Sequence, residues 1–339
     1  MIEDILKGRG TLFLGAGASR EADFPDANTL TEYLASKAGN SLSSKLSGQT
    51  LDTVSDYLYA EPGYGKQWVR QKIIDCFEKR HKTVKRIPSI AHEIMTMIKW
   101  RAMFTTNYDR LIEIAYDSSQ DAVQRVLPIY TPDAQIRRHE EEVARLIKLN
   151  GSVDEAARNS SHELVFTFAD QQEARIRNQR FYDLLRDEAA IGSIIFVGFS
   201  FTHLGARDMG TSPEFFLLQE ILREMGPAAR WHYCVTPFDP SSPSSELICR
   251  KLHANQIKVI NATFGGFLDA LFKQLQVTKT PLTKRPPILI PIAGIAISID
   301  ADEYAKDRRH FEIIGSHLEE LTPPSVTESL NGYETWASF

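Results

Sequence analysis

Short, strongly apolar runs that stop at small or polar residues most narrow what this chain can fold into. "TLFLGA" (11–16), "RAMFTTN" (101–107) and "SIIFVGFS" (193–200) are the clearest of them. A strand that is apolar on both sides must be covered on both sides, and parallel sheets between helical layers meet that condition. "WHYCVTP" (231–237) and "IKVINA" (257–262) read as further strands, and "VARLIKLNG" (143–151) ends in one. The segments between carry helical spacing. In "QWVRQKIIDCFEKR", Val69, Ile73, Ile74 and Phe77 share one face. Helices are predicted over 28–39, within 49–82, and over 108–117, 169–189, 213–226, 245–255 and 265–276. "RRHEEEVARLIK" (137–148) reads as a mixed-charge helix with a solvated face. Alternating strands and helices predict an α/β fold: a doubly wound, mostly parallel, Rossmann-like sheet with a helical insertion.

A chain of 339 residues, 42% of them hydrophobic, can bury one large core and a small second unit. The main domain is placed at 1–277. "TKTPLTKRPP" gives a linker at 278–287, and 288–339 forms a small C-terminal appendage, a docking or assembly element. The run "ILIPIAGIAI" (288–297) is too short to span a bilayer. The start "MIEDILKGRG" lacks the pattern of a signal peptide. These readings predict a soluble, cytoplasmic protein without a membrane partner. A net charge of −5 and the lack of a strongly basic stretch disfavour direct nucleic-acid binding. Cys76, Cys234 and Cys249 have neither metal-ligand nor disulfide-framework spacing, so no metal is expected.

In doubly wound sheets, ligands bind beyond the carboxyl ends of the strands. The residues there are Gly15–Ser19, Thr105–Asp109, Asn150–Ser152, Gly198–Ser200 and Thr236. Any one of these polar stretches could be an ordinary turn. Five at one edge favour a nucleotide cleft. Glycines 15 and 17 would let backbone N–H groups approach a pyrophosphate. Asn107 is placed at a helix N-cap, and Asp109 in the first turn, where it complements the dipole. His162, in "NSSHELVF", is expected in solvent before a strand, and His203 lies nearest the cleft.

The order of these motifs resembles the sirtuins. "GAGASREADFPDA" is similar to the family's GAGIS…GIPDF, "TTNYD" to TQNID, "KLNGS" to the His-Gly motif, and "VGFS" to GTS. The resemblance covers about 11–276 and is nearest to the sirtuin-like domains of bacterial antiphage defence proteins. It implies a sirtuin-type fold and a reaction in which NAD+, as substrate, is cleaved to nicotinamide and ADP-ribose. It also implies roles. Asn107 would position water and ribose, and Asp109 would bind the carboxamide. Gly15, Ala16, Gly17, Ala18 and Ser19, with Asp26 and Thr106, would hold the nucleotide around its pyrophosphate. Gly198, Ser200 and Thr236 would line the adenosine half.

The departures from the pattern carry information too. No cysteine pairs follow the "NGS" motif, so the zinc module of deacylase sirtuins is absent. Asp23 stands where sirtuins have glycine, and Ala27-Asn28 replace Phe-Arg. Asn150 occupies the position of the family's catalytic histidine. It is either a replacement that traps intact NAD+, the favoured explanation, or the natural residue of a weak or regulatory site. Reduced or absent turnover is expected for this sequence. The leading reading is an NAD+ glycohydrolase acting as an abortive-infection effector, working as a homo-oligomer or with a separate ATPase or argonaute-type subunit. The alternatives are a non-catalytic NAD+ or ADP-ribose binding module and, third, a protein deacylase.

Overall fold

The computed structural model describes residues 1–83, 88–132, 142–199, 223, 230–239, 241–279, 288–292 and 295–299. The expected helix at 213–226 apart from residue 223, Ser200 and His203, most of the linker, and all but ten residues of the appendage lie outside that set. The chain divides into two compact units, Met1–Phe272 and Lys273–Phe339.

In the first unit, seven strands form one sheet: β1 (Thr11–Leu14), β2 (Ala102–Thr105), β3 (Arg125–Ile129), β4 (Val143–Lys148), β5 (Ile194–Val197), β6 (His232–Val235) and β7 (Ile257–Ile260). Their order is β3-β4-β2-β1-β5-β6-β7 and every pairing is parallel. The central strands β1, β2 and β5 are buried at every residue, as their unbroken apolar runs require. Phe13, Phe104 and Phe196 stack across these three strands. Helix α10 (Gln179–Ile191) covers that layer with Phe181, Leu185 and Ala189.

The helical insertion holds α2 (Ala27–Lys37), α3 (Asn40–Leu46), α4 (Leu51–Ala60) and α5 (Lys66–Thr83). It forms a second core in which Leu34, Leu58 and Ile73 pack with Tyr108 and Phe166 from loops beyond the sheet. No helix among the described residues is long and apolar enough to cross a membrane. In the second unit, β8 (Ile288–Ile292) and β9 (Ile295–Ile299) pair antiparallel.

Several elements differ from the sequence expectation. Residues 143–148 are strand, as the reading of 143–151 expected, and not the end of a helix over 137–148, because β4 is an interior strand between β2 and β3. Strand β3 is new. It is an edge strand, where its Pro128 is tolerated. The predicted long helix at 169–189 is two helices, α9 (Phe168–Arg177) and α10, broken at Asn178. A Thr167–Asp170 capping box starts α9. The segment 163–167 directly after His162 is not a strand.

Candidate functional site

The strand order reverses at β1. Chain connections run from β1 toward β2 and β4 on one side, and from β5 toward β7 on the other. The crevice of a doubly wound sheet opens at such a point, beyond the carboxyl ends. Gly15–Ser19 leave β1 there and Gly198 leaves β5.

These two loops touch through backbone. Gly15 N–H donates to Val197 O, and Gly17 N–H donates to Gly198 O, both at 2.9 Å. A Cβ on Gly15 or Gly17 would lie under 3 Å from the Gly198 carbonyl oxygen. Gly198 has φ +70°, and a Cβ there would sit 2.3 Å from Ala18 N. All three positions therefore require glycine because the chain folds against itself, before any ligand is considered. Residues Ala16–Ala18 and Arg20–Ala22 form two 3-10 turns that end at Asp23, with φ +57°. Aspartate is among the few residues that enter this left-handed region at tolerable cost.

The loop after β2 docks on the same turn. Asn107 is not the N-cap that the sequence suggested. The helix α7 (Leu111–Ser118) starts later, with Arg110 at the cap and Asp109 Oδ1 accepting Leu111 N–H at 3.0 Å. Asn107 Nδ2 instead donates to Gly15 O at 3.0 Å and to Ser19 Oγ at 2.9 Å. A carbonyl can only accept, so the Gly15 contact fixes which end of the amide faces the loop. The other end, Oδ1, is buried without a hydrogen-bond partner among the described residues. Ser19 Oγ then donates to Asp109 Oδ2 at 2.8 Å. Asn107, Asp109 and Ser19 are 7%, 6% and 2% exposed.

Beneath this cluster lies a buried cation. Lys148, 1% exposed, donates to Asp109 O and pairs with Glu113 at 3.3 Å. Lys148 is not among the residues expected from the sequence, although a lysine inside the apolar run "RLIKLN" is the kind of signal that marks a buried, paired cation. His92 is also buried, bonded to Ser89 and edge-on to Phe264, and burial lowers its pKa to about 4 despite the nearby Asp109 carboxylate.

Asn150 lies at the end of β4. Leu149 N–H bonds to Thr105 O, which continues the β2–β4 register and sets Asn150 beside the Thr106–Asn107 exit. The Asn150 main-chain oxygen accepts Val165 N–H, and the residue is partly exposed. Gly151 follows with φ +87°, facing Glu163 O and His162 Nε2. Ser152 N–H donates to His162 Nε2 at 3.0 Å. His162 is thus half-buried in this turn rather than in solvent, held there by that bond and the Tyr130 ring edge. No local residue pattern signals this contact, since it depends on how the 159–166 loop returns.

The remaining candidate residues stand apart from the cluster. Thr106 N–H bonds to Leu14 O. Asp26 caps α2 through Thr29 N–H at 2.9 Å, with the Arg20 guanidinium 3.7 Å away. Thr236 bonds through its N–H to Ile260 O beyond β6. The structure does not join these residues to the Ser19–Asp109 pair.

Parts of the chain are similar to known proteins. Residues 101–260 match the SIR2-like domain family. An NAD(+) hydrolase ThsA of Bacillus cereus (strain MSX-D12) is 22% identical over 245 residues, covering 71% of this chain and 46% of the relative. The NAD(+) hydrolase ThsA of Cytobacillus dafuensis is 25% identical, covering 69% of this chain and 43% of the relative. The chain therefore spans less than half the length of these curated relatives. A solved structure of Sir2 with an inhibitor, 2′-O-acetyl-ADP-ribose and a deacetylated p53 peptide overlaps 80% of this chain and 98% of its own, at 13% identity and a TM-score of 0.38. Strands β2 to β7 lie inside the stretch that is similar to the SIR2-like domain family.

Proposed function

We propose that the chain is an NAD+ glycohydrolase whose substrate lies across the β1 and β5 carboxyl ends. The observation that carries this reading is the Asn107 amide: its nitrogen is committed to Gly15 and Ser19, and its oxygen is buried and unpartnered. A buried acceptor without a donor is costly. A water or a ribose hydroxyl would satisfy it. A water donating to Oδ1 keeps a lone pair for the anomeric carbon. The bond from that carbon to the nicotinamide nitrogen breaks, neutral nicotinamide leaves, and the oxocarbenium-like centre takes the water oxygen. The water's proton passes to solvent, and the product is ADP-ribose.

On this reading the loop Gly15–Ser19 holds the pyrophosphate, Thr106 and Asp26 contribute to nucleotide binding, Asp109 takes the carboxamide, and Gly198 and Thr236 serve the adenosine half. Asn150 can bond the ribose but cannot exchange a proton, so turnover by this sequence is slow or absent. The similarity to proteins named NAD(+) hydrolase supports the substrate. We place the protein in the cytoplasm as an antiphage effector of the abortive-infection kind. It acts as a homo-oligomer or with a separate ATPase subunit, and residues 288–339 serve as the assembly element beyond the 1–277 domain.

A second reading, a non-catalytic NAD+ or ADP-ribose binding module, is favoured by Asn150 itself. Crystals soaked with NAD+, together with nicotinamide release measured in solution, separate the two. Intact NAD+ over the Gly15–Ser19 loop with slow release is expected. Saturable NAD+ binding elsewhere on the protein, or none, overturns the reading.

A further inference from the structure

No histidine takes part in the proposed reaction, yet His162 sits against the turn that carries Asn150. His162 Nε2 accepts the Ser152 N–H at 3.0 Å, two residues beyond Asn150. Gly151 between them is in the left-handed region, and a Cβ there would lie 2.4 Å from Glu163 O and 3.1 Å from His162 Nε2. The Asn150 carbonyl is tied to Val165 N–H on the same loop. The turn 150–152 is thus held on both sides by residues 162–165. The ring nitrogen that faces Ser152 can accept only while it carries no proton.

We propose that His162 is a positioning residue for the Asn150–Ser152 turn, and that its neutral ring, by accepting Ser152 N–H, keeps Asn150 placed for NAD+. The proposal rests on the NAD+ reading. Protonation converts the acceptor into a donor facing another donor, and the turn is released.

The charges around the ring come from every packed element. Glu155 lies on α8 (Val153–Arg158) and favours protonation. Arg70 on α5, Lys148 on β4 and Arg177 on α9 oppose it. The Tyr130 ring meets the imidazole edge-on at 6.1 Å, and Arg70 also reaches His162 O at 3.5 Å. Burial is the largest influence and lowers the His162 pKa from its usual value. The switch therefore operates on the acid side of pH 6.5, and the turn is intact above it.

NAD+ affinity of the whole chain, measured by calorimetry between pH 5 and 8, tests this, with Ser152 amide hydrogen exchange followed in parallel. In the native chain, affinity and Ser152 protection should fall together as the pH drops below about 6.5. His162→Gln keeps an acceptor of similar reach that does not titrate, so it should bind like the native chain at pH 8 and lose the acid decline. His162→Phe removes the acceptor and should weaken binding roughly fivefold at all pH values, the worth of one hydrogen bond. An acid decline that persists in His162→Gln, or native affinity in His162→Phe, overturns the proposal. Lack of NAD+ binding by the native chain at pH 8 overturns the substrate reading instead. Ser152 exchange then decides the role of His162 in the turn by itself.

Discussion

Ser19 and Asp109, ninety residues apart in sequence, are joined by a 2.8 Å hydrogen bond from the serine hydroxyl to the carboxylate. With Asn107 donating to the same hydroxyl, the loops that leave β1 and β2 become one buried unit. Breaking any member leaves others without partners, so substitutions here act on both function and stability.

Asn107→Ala removes two donated bonds, to Gly15 O and Ser19 Oγ, together with the free acceptor. Stability should fall by about 1–3 kcal/mol because buried partners are left unsatisfied. This cost is not the loss of a helix cap, since α7 is capped elsewhere. Turnover, measured in a catalytically competent background, should drop roughly a hundredfold or more, as for a lost preorganised polar group. NAD+ affinity should change far less. Undiminished turnover beside a lowered melting temperature would show that Asn107 only braces the loop.

Gly198→Ala adds a Cβ at a left-handed position, 2.3 Å from Ala18 N. Backbone cannot step aside as a flexible side chain can. The cost should be about 2 kcal/mol or more, read by denaturant unfolding. The displaced Gly15–Ser19 turn should also lose NAD+. Gly17→Val makes a similar clash against Gly198 O, so its loss of binding would follow from loop packing even without a pyrophosphate contact. Wild-type stability in Gly198→Ala would mean that the two loops separate more easily than their contacts suggest.

The sheet was legible in the sequence because its central strands are apolar on both faces, and that pattern has no other use in a chain of this kind. The five loop stretches followed from strand direction alone. What could not be read was contact across loops. Asn107 looked like a cap because Asx residues usually serve that purpose before helices, and nothing local reveals that Gly15 and Ser19 return to meet it. Strand β3 was hidden by Pro128, a penalty that vanishes at a sheet edge. His162 was unreadable because its partner is a backbone N–H, which carries no residue signature.

The buried histidines set a pH limit on the fold. His232, on β6, is fully buried, and its Nδ1 accepts the Ile194 N–H at 3.0 Å. Burial lowers its pKa to about 4. An unfolded histidine titrates near pH 6.5, so between about 6.5 and 4 the unfolded chain binds more protons than the folded one. Stability is therefore full above that window and falls as the pH drops through it, by on the order of 3 kcal/mol for such a group. His92, lowered similarly, acts in the same direction. Unfolding midpoints from pH 7 to 4 check this. His232→Asn, which keeps an acceptor without titrating, should flatten the decline, and an equally steep decline in that variant would remove His232 from the account.

Asn150→His is the substitution that most directly separates a hydrolase from a binding module. Asn150 stands at the β4 exit, and its side chain has no hydrogen bond within the described residues. A histidine there titrates near neutrality, so it can take a ribose proton and return it. General acid–base help of this kind is worth about a hundred- to ten-thousandfold in rate. The variant should release nicotinamide at least about a hundredfold faster than the native chain, with a pH profile that turns near neutrality. NAD+ affinity should move little, since both side chains can bond the ribose. The turn itself should persist, because its bonds run through the main chain of residues 150 and 152 and the ring of His162. Affinity and release must be measured on the same preparations, with any activating partner or assembly present. If the histidine form binds NAD+ as tightly as the native chain and still releases no nicotinamide, the cleft holds the nucleotide without cleaving it. The chain is then a binding module whose output lies in what it assembles with.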